Sequence, residues 1–301
     1  MLTAEEIKEA NIAYHDAAAE EYDGKWGIDY GELGNGQVLT KAKKVLGRNP
    51  GHYARGLEIG AGTGYFGMNL ALTGVIGEVV ASDISEGMLK VIENTAAELN
   101  LSDRVSTVHT EAEQMPFEDN SFDIIFGHAV LHHLPHLEDS FAEFMRILKP
   151  GGVIAFFGEP SRIGDSLARY PKGFAMKTAP LWRKALKIRE PEPVAYAEDD
   201  GHSVEHLVDV HAFIPEDLEQ IAKGAGFEEV RIIGEELLAS WFGWTNRTLE
   251  TQGRQEDIPN GWRQFAYKGY LAMQRVDRVA LEGRLPAKIF YNLLLGARKP
   301  A

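Results

Sequence analysis

From residue 55 onward, short apolar runs alternate with stretches in which apolar residues recur every three or four positions. This alternation predicts strands at about 55–60, Glu78–Ser82, Val105–His109, Phe122–Gly127 and Val153–Gly158. Helices are expected between them at 65–73, at 85–99 with Ser85 as N-cap, and from the fourth strand to Leu148. Lys149-Pro-Gly-Gly152 reads as a turn into the fifth strand. A helix opened by Pro215 ends at Gly224 and Gly226, a sixth strand covers Glu228–Ile233, and Tyr291–Arg298 reads as a seventh. Alternation at this spacing means a parallel sheet with helices on both faces. Leu2–Tyr22 reads as one or two amphipathic helices ahead of it. Residues 160–213 and 235–289 do not fit the sheet. They are taken as helical insertions, the first leaving from the strand C-terminal edge, where open α/β sheets bind ligands.

The first strand runs into Leu57-Glu-Ile-Gly-Ala-Gly-Thr-Gly-Tyr-Phe66. Gly60, Gly62 and Gly64 build a turn that other residues enter only with strain, and no Cβ keeps a ligand away. The helix that follows aims its free N–H groups at the same point. Glu58 on the strand end is a carboxylate in an apolar setting, so it should serve backbone amides or a cationic ligand group. Two other readings fit this segment alone. Gly62-Thr-Gly64-Tyr-Phe-Gly67 matches G-x-G-x-x-G with Asp83 at the dinucleotide spacing, and a glycine turn need hold no ligand.

Composition narrows the classes. The 301 residues are 44% hydrophobic and 25% charged, as in a globular protein of one large domain or a domain with a cap. A formal charge of −14 argues against nucleic acid as a partner. With no cysteine there is no disulfide, thiolate metal site or Cys nucleophile, which fits a cytoplasmic location. The N-terminal residues show no secretory pattern. Residues 59–77 carry no charge, but six glycines with Asn69 and Thr73 make them turn, helix and turn rather than a membrane span.

Four segments in order carry a family likeness. They are Leu57–Gly64, Ala81-Ser-Asp83-Ile-Ser, Thr110-Glu-Ala-Glu-Gln-Met-Pro-Phe-Glu-Asp-Asn-Ser-Phe-Asp123, and Leu148-Lys-Pro-Gly-Gly152. Together they resemble the class I S-adenosylmethionine-dependent methyltransferases over 55–159 and 215–298. Phe126-Gly-His-Ala-Val-Leu-His-His-Leu-Pro135 is most similar to the quinone-biosynthesis C-methyltransferase and small-molecule O-methyltransferase (type 11) group. The resemblance implies a Rossmann-like, doubly wound seven-stranded sheet with strand seven antiparallel. It implies a core of 55–159, 214–234 and 290–301, N-terminal helices within 1–54 that cover the cofactor, and caps at 160–213 and 235–289 that select substrate. It also implies S-adenosylmethionine as cofactor. Asp83 would then take the ribose hydroxyls, with Ile84 on the adenine face, Glu111, Ala112 and Glu113 at its amino edge, and Met88 as a further cofactor-binding residue. Glu58, Gly60, Ala61, Gly62, Gly64, Gly127 and His128 would surround the amino-acid end, with Tyr22 from the leading helix. The position of an Asn-Pro-Pro-Tyr motif is filled otherwise, which counts against methylation of nitrogen in bases or glutamine.

Methyl transfer to a phenol or hydroxyl needs a base, and histidine titrates in the right range. His132 and His133 follow strand four, with Glu159 past strand five to orient one of them or act as a second base; the competing role for each histidine is capping or packing. His136 is read as structural. Trp241 and Trp244, with Trp262, Phe265, Tyr267 and Tyr270 behind them, suggest an aromatic pocket or a small core of the cap itself. His206 is a further substrate candidate, and His202, His206 and His211 around Asp209 are read as loop and helix-face residues, not a metal site. Residues 161–190 hold eight Lys or Arg against two acids, including an amphipathic basic helix at Ala179–Ile188. That stretch fits weak contact with anionic lipid or a solvated face.

The leading expectation is a methyltransferase acting on oxygen or carbon of an apolar or aromatic small molecule, as a monomer or homodimer. A membrane-associated quinone-precursor or lipid methyltransferase is the second. A non-catalytic S-adenosylmethionine-binding regulatory protein is the third.

Overall fold

The computed structural model describes residues 29–191 and 211–301. The predicted helices within Leu2–Tyr22, and Tyr22, His202, His206 and Asp209, lie outside the described residues. The chain divides into two compact units, 1–159 with 199–232 and 294–301, and 160–198 with 233–293.

In the first unit α1 (Glu32–Leu46) leads into β1 (Tyr53–Ile59), α2 (Tyr65–Leu72), β2 (Ile76–Asp83), α3 (Glu86–Glu98), β3 (Val105–His109), β4 (Phe122–His128), α4 (Leu137–Ile147) and β5 (Leu148–Pro160). The second unit contributes α5 (Arg162–Leu186); α6 (Pro215–Gly224) and most of β6 (Glu228–Glu235) return to the first. Then come α7 (Leu238–Thr251), α8 (Asn260–Val276) and β7 (Asn292–Arg298). The seven strands form one sheet in the order β3-β2-β1-β4-β5-β7-β6, with β7 antiparallel. β1 lies between β2 and β4, parallel to both. The strand order therefore reverses beside β1, where α/β sheets bind ligands.

Burial explains the strands. Leu57, Ile124, Ile125, Phe126, Ile154 and Phe156 have essentially no exposed surface, as expected of strands covered on both faces. Phe144 stacks on Phe156 at 5.5 Å and Phe66 on Phe157 at 4.6 Å, joining helices to the sheet. Ser85 caps α3 as predicted, its hydroxyl accepting from the Met88 amide at 3.1 Å.

Two expectations need correction. Lys149–Gly152 is not a turn ahead of the fifth strand; it is a bulge inside β5. Phe122 pairs with Leu148 and Ile124 with Val153, so five steps on β5 face two on β4. Gly151 takes up the excess at φ 74°, and the Lys149 ammonium bonds Asp123 at 2.8 Å. The basic helix expected at Ala179–Ile188 is the end of a 25-residue helix that continues through Pro171 and Pro180. Each proline removes one helical N–H. Pro171 is buried in the same face as Ala168, Ala175, Ala179 and Trp182, and that packing offsets the loss. Lys187, at φ 58°, ends the helix in the left-handed region before Ile188.

The second unit has its own core. Ala175, Ala179, Trp182, Ile188, Leu249 and Ile258 cluster, with Trp262 against them. α5 packs on α7, and α7 on α8. The start of α5 requires glycine: a Cβ on Gly164 would lie 1.9 Å from the Phe290 carbonyl oxygen.

Candidate active site

The loop after β1 is built as the glycines foretold. Gly60, Gly62 and Gly64 all have positive φ, at 56°, 54° and 78°. A Cβ on Gly60 would come 2.3 Å from Val130 Cγ2, whereas one on Gly62 would meet nothing within 4 Å. The loop is therefore packed on one side and open at Gly62. Asp83 fixes it from β2: its carboxylate accepts the Gly62 amide at 2.8 Å and the Ser85 amide at 2.9 Å. A carboxylate offers about four acceptor positions, the kind of group that a pair of hydroxyls would use.

Glu58 is buried, and both its oxygens face the Gly67 amide, at 3.1 and 3.2 Å. A Cβ on Gly67 would lie 2.3 Å from Glu58 Oε2, so a larger residue there would displace the carboxyl. The carboxyl thus anchors the start of α2. Burial pushes its pKa up to about 8, against the pull of the Gly67 amide and aided by the Asp83 charge.

Sequence reasoning missed the strap from α1. The Tyr30 hydroxyl donates to the Thr63 carbonyl at 3.1 Å, and Asp29 caps α1 by accepting the Gly34 amide at 2.8 Å. No motif marks Tyr30. It also missed a clamp on the loop after β3. Arg146 of α4 forms a two-bond pair with Glu143 at 2.7 and 2.8 Å and donates to the Phe117 carbonyl at 2.9 Å, while Glu143 accepts the Met115 amide at 2.8 Å. The Arg146 hydrogen bond holds the Glu143 carboxyl below its ordinary value, although partial burial opposes this. Arg146→Met should therefore loosen residues 115–119, weaken cofactor binding about tenfold and cost ~1–2 kcal/mol, as titration calorimetry and denaturant unfolding will read.

Among the described residues, two buried oxygens in these loops lack a hydrogen-bond partner, Thr63 Oγ1 and Glu113 Oε1. Buried polar atoms are normally satisfied. Together with the open face of Gly62, they fit a ligand bearing polar groups at both ends, as the nucleoside and amino-acid ends of S-adenosylmethionine are. Glu111 is exposed, Ala112 is buried and Ile84 is half-buried. Ala61 is buried in the loop, and Met88, in the first turn of α3, is wholly buried, so it shapes the floor rather than lining an open surface.

The end of β4 carries the reactive groups. His128 stacks on Phe66 at 5.2 Å, and a Cβ on Gly127 would lie 2.7 Å from Val130 Cγ1 and 2.8 Å from the Ile59 carbonyl oxygen. Ala129 has φ 55°, an uncommon conformation for a residue with a side chain, and it turns the chain sharply after the strand. Glu159, fully buried near the end of the neighbouring β5, holds the loop that follows. It accepts the amides of Val130 and Leu131 at 3.0 Å and of His132 at 3.2 Å, and lies 2.8 Å from His132 Nδ1. A carboxylate used only as acceptor assigns the hydrogen to Nδ1. Neutral His132 then has its lone pair on Nε2. His133 is half-buried, its ring 3.9 Å from that of His132. His136 is the N-cap residue of α4 without a side-chain cap bond. His211, missed as a site neighbour, donates its amide to the His132 carbonyl at 3.2 Å.

In the second unit, Trp241 and Trp244 are half-buried. Lys172 Nζ sits 3.8 Å over the Trp244 ring, so that face already holds a cation. Trp262 packs on Trp182 at 5.3 Å and on Phe265 at 5.4 Å, within the unit's own core. Glu236, at φ 64°, was not foreseen: buried, it accepts from Tyr270 at 2.8 Å, Gln274 at 2.9 Å and Asn292 at 3.2 Å.

Comparison with known proteins agrees with this geometry. The family model Methyltransf_11, a methyltransferase domain, matches residues 57–156. The ubiquinone/menaquinone biosynthesis C-methyltransferase UbiE of Ectopseudomonas mendocina (strain ymp) is 31% identical over 192 residues, 62% of this chain and 69% of that protein. The UbiE of Pseudomonas fluorescens (strain Pf0-1) is 32% identical over 181 residues, 58% of this chain and 66% of that one. The chain thus spans about two thirds of the length of these relatives. Among solved structures, Haemonchus contortus phosphoethanolamine N-methyltransferase 2, with phosphomonomethylethanolamine and S-adenosylhomocysteine, aligns at TM-score 0.60 and 18% identity. That alignment covers 100% of this chain and 61% of the other, a likeness of fold.

Proposed function

Because the chain belongs to the class I S-adenosylmethionine-dependent methyltransferases of the UbiE-like type, an enzyme family with S-adenosylmethionine as cofactor, we propose that it methylates carbon or oxygen of an aromatic, quinol-like small molecule. The bound cofactor supplies a methyl group on a sulfonium, already a strong electrophile. The chain's task is then alignment and management of one proton. Asp83, Glu111, Ala112, Glu113, Ile84 and the floor over Met88 hold the nucleoside end. Gly60, Ala61, Gly62 and Gly64, with Glu58 behind them and Gly127 and His128 beside them, hold the amino-acid end, and Tyr22 is proposed to close over it.

The observation that carries the reading is the His132–Glu159 pair at 2.8 Å. His132 Nε2 takes the proton of the acceptor's ring hydroxyl. Glu159 positions it and stabilises the imidazolium, and His133 lines the approach. A phenolate is electron-rich at oxygen and at the adjacent ring carbon, so one base serves either outcome. The atom presented to the methyl decides between them. With carbon as acceptor, the ring hydrogen leaves afterwards as a proton, the imidazolium returns the first proton to the ring oxygen, and one proton is released in all. Residues 160–213 and 235–289, with Trp241, Trp244 and His206, are proposed to select the acceptor. A lipid-like quinone precursor drawn from a membrane is the second reading, favoured by the exposed face of α5. The test is incubation with isotope-labelled S-adenosylmethionine and a panel of hydroxylated aromatics with and without prenyl tails. A ring-carbon or ether methyl in the product, found by mass spectrometry and NMR, is the expected result. Label on none of these, with transfer only to amine acceptors included alongside them, would overturn the proposal.

A further inference from the structure

In α5 the buried face is made of Gly164, Ala168, Pro171, Ala175, Ala179 and Trp182. On the opposite side Tyr170, Phe174, Lys177, Leu181 and Lys184 follow one another at spacings of four, three, four and three, which places them in a single stripe. Tyr170 is 59% exposed, Phe174 63% and Leu181 71%. Lone exposed apolar residues are ordinary, but an aligned row of large ones on one helix marks an interaction face. Lys177 and Lys184 are exposed within the row, and Arg169 and Lys187 are exposed near it, whereas Arg189 is paired with Asp257 at 2.7 Å and Glu256 at 2.6 Å. The acids of 161–190 are Asp165 in the first turn and Glu190, the latter paired with Arg183 at 2.6 Å. A chain of formal charge −14 therefore presents one local surface that is both apolar and cationic.

We propose that this stripe seats the protein on an anionic bilayer surface, with Tyr170, Phe174 and Leu181 entering the headgroup region and Lys177 and Lys184 at the phosphates. The charge sign selects the occupant. A second copy docked face to face would bring lysines against lysines, whereas an anionic lipid surface complements the stripe and attracts it over about one Debye length. Long lysine side chains reach outward to phosphate while their stems lie along apolar neighbours. The contact is peripheral, since among the described residues no helix is long and apolar enough to cross a membrane. The inference stands whatever the acceptor is. Its readout involves no turnover, so its failure would leave the methyl-transfer proposal untouched.

The test is co-sedimentation of the full chain with vesicles of phosphatidylcholine alone or with about 30% phosphatidylglycerol, at about 20 mM and about 300 mM salt. Binding is expected to the anionic vesicles, falling at least about tenfold at the higher salt. Lys177→Glu with Lys184→Glu should weaken it about tenfold or more. Phe174→Ser with Leu181→Ser should abolish it with the melting temperature kept, since both side chains are exposed. No binding at low salt, or equal binding by the Phe174→Ser/Leu181→Ser variant, would overturn the proposal. So would a concentration-dependent dimer in sedimentation equilibrium that those two substitutions dissolve.

Discussion

Replacing His132 by alanine should lower kcat by about 10²–10⁴ while cofactor affinity stays within about twofold. The loop should survive the change, because Glu159 keeps the amides of Val130 and Leu131 and the third amide, at position 132. Acceptors with more acidic hydroxyls should lose less, since they need less help to ionise. A packing role for His132 would not produce that dependence. Glu159→Gln is the sharper companion. A glutamine amide placing its NH2 group toward Nδ1 would make that nitrogen the acceptor, moving the ring hydrogen to Nε2 and disabling it as a base. A loss of about 10²–10⁴ in kcat is expected, comparable to a tautomer change in a serine-protease triad. Glu159→Ala would instead strand three buried amide donors, each worth about 1–3 kcal/mol, and confound activity with unfolding. Turnover unchanged in both His132→Ala and Glu159→Gln would remove the dyad from the mechanism. His133→Ala, by contrast, is expected to cost less than about tenfold.

The second large effect is on stability. Glu58 has its pKa raised from 4.5 to about 8 in the folded, cofactor-free protein. A group whose folded pKa is raised stabilises fully below its unfolded pKa, and that stabilisation is lost as pH rises through the folded pKa. Between about pH 4.5 and about 8 the unfolded chain sheds this proton and the folded chain keeps it. Unfolding free energy should therefore decline across that window by a few kcal/mol, and the contribution should level off above it. Glu58→Gln keeps the neutral shape and should flatten the slope, leaving the variant at least as stable as the parent at pH 8. Thermal unfolding of cofactor-free protein at pH 5, 6.5 and 8 reads the effect directly; bound cofactor would mask it by mass action. Equal slopes in the two proteins would mean that Glu58 is ionised in the folded state.

What could be read from the sequence is local in the chain. Gly60, Gly62 and Gly64, the Ser85 cap and the apolar run ending in Glu58 are specified within a few residues, so period and turn chemistry suffice. The features that escaped depend on partners far along the chain. Tyr30 meets Thr63 across 33 residues, and Arg146 meets Phe117 across 29. The pairing of Glu159 with His132 spans 27 and was anticipated only as an orienting role among alternatives. The bulge in β5 looked like a turn because Pro-Gly-Gly is turn chemistry, and strand pairing overrode it. Two prolines ordinarily punctuate a helix, so the local pattern marks only the end of α5, whereas its buried face carries it through both. The cap aromatics were ambiguous for a different reason: an aromatic-rich segment reads alike whether it lines a pocket or packs on its neighbours, and Trp262 does the latter.

The strand order also governs how the protein must be made. β6 is an edge strand whose neighbour in the sheet is β7, and β7 begins at Asn292 while β6 ends at Glu235. On the ribosome, β6 therefore emerges with its hydrogen-bonding groups unsatisfied, and more than fifty further residues must be translated before its partner arrives. β5 waits still longer for β7 on its other side. Closure of the sheet waits on β7, and a nascent chain stalled within α8 would expose two adhesive strand edges to chaperones or to other chains.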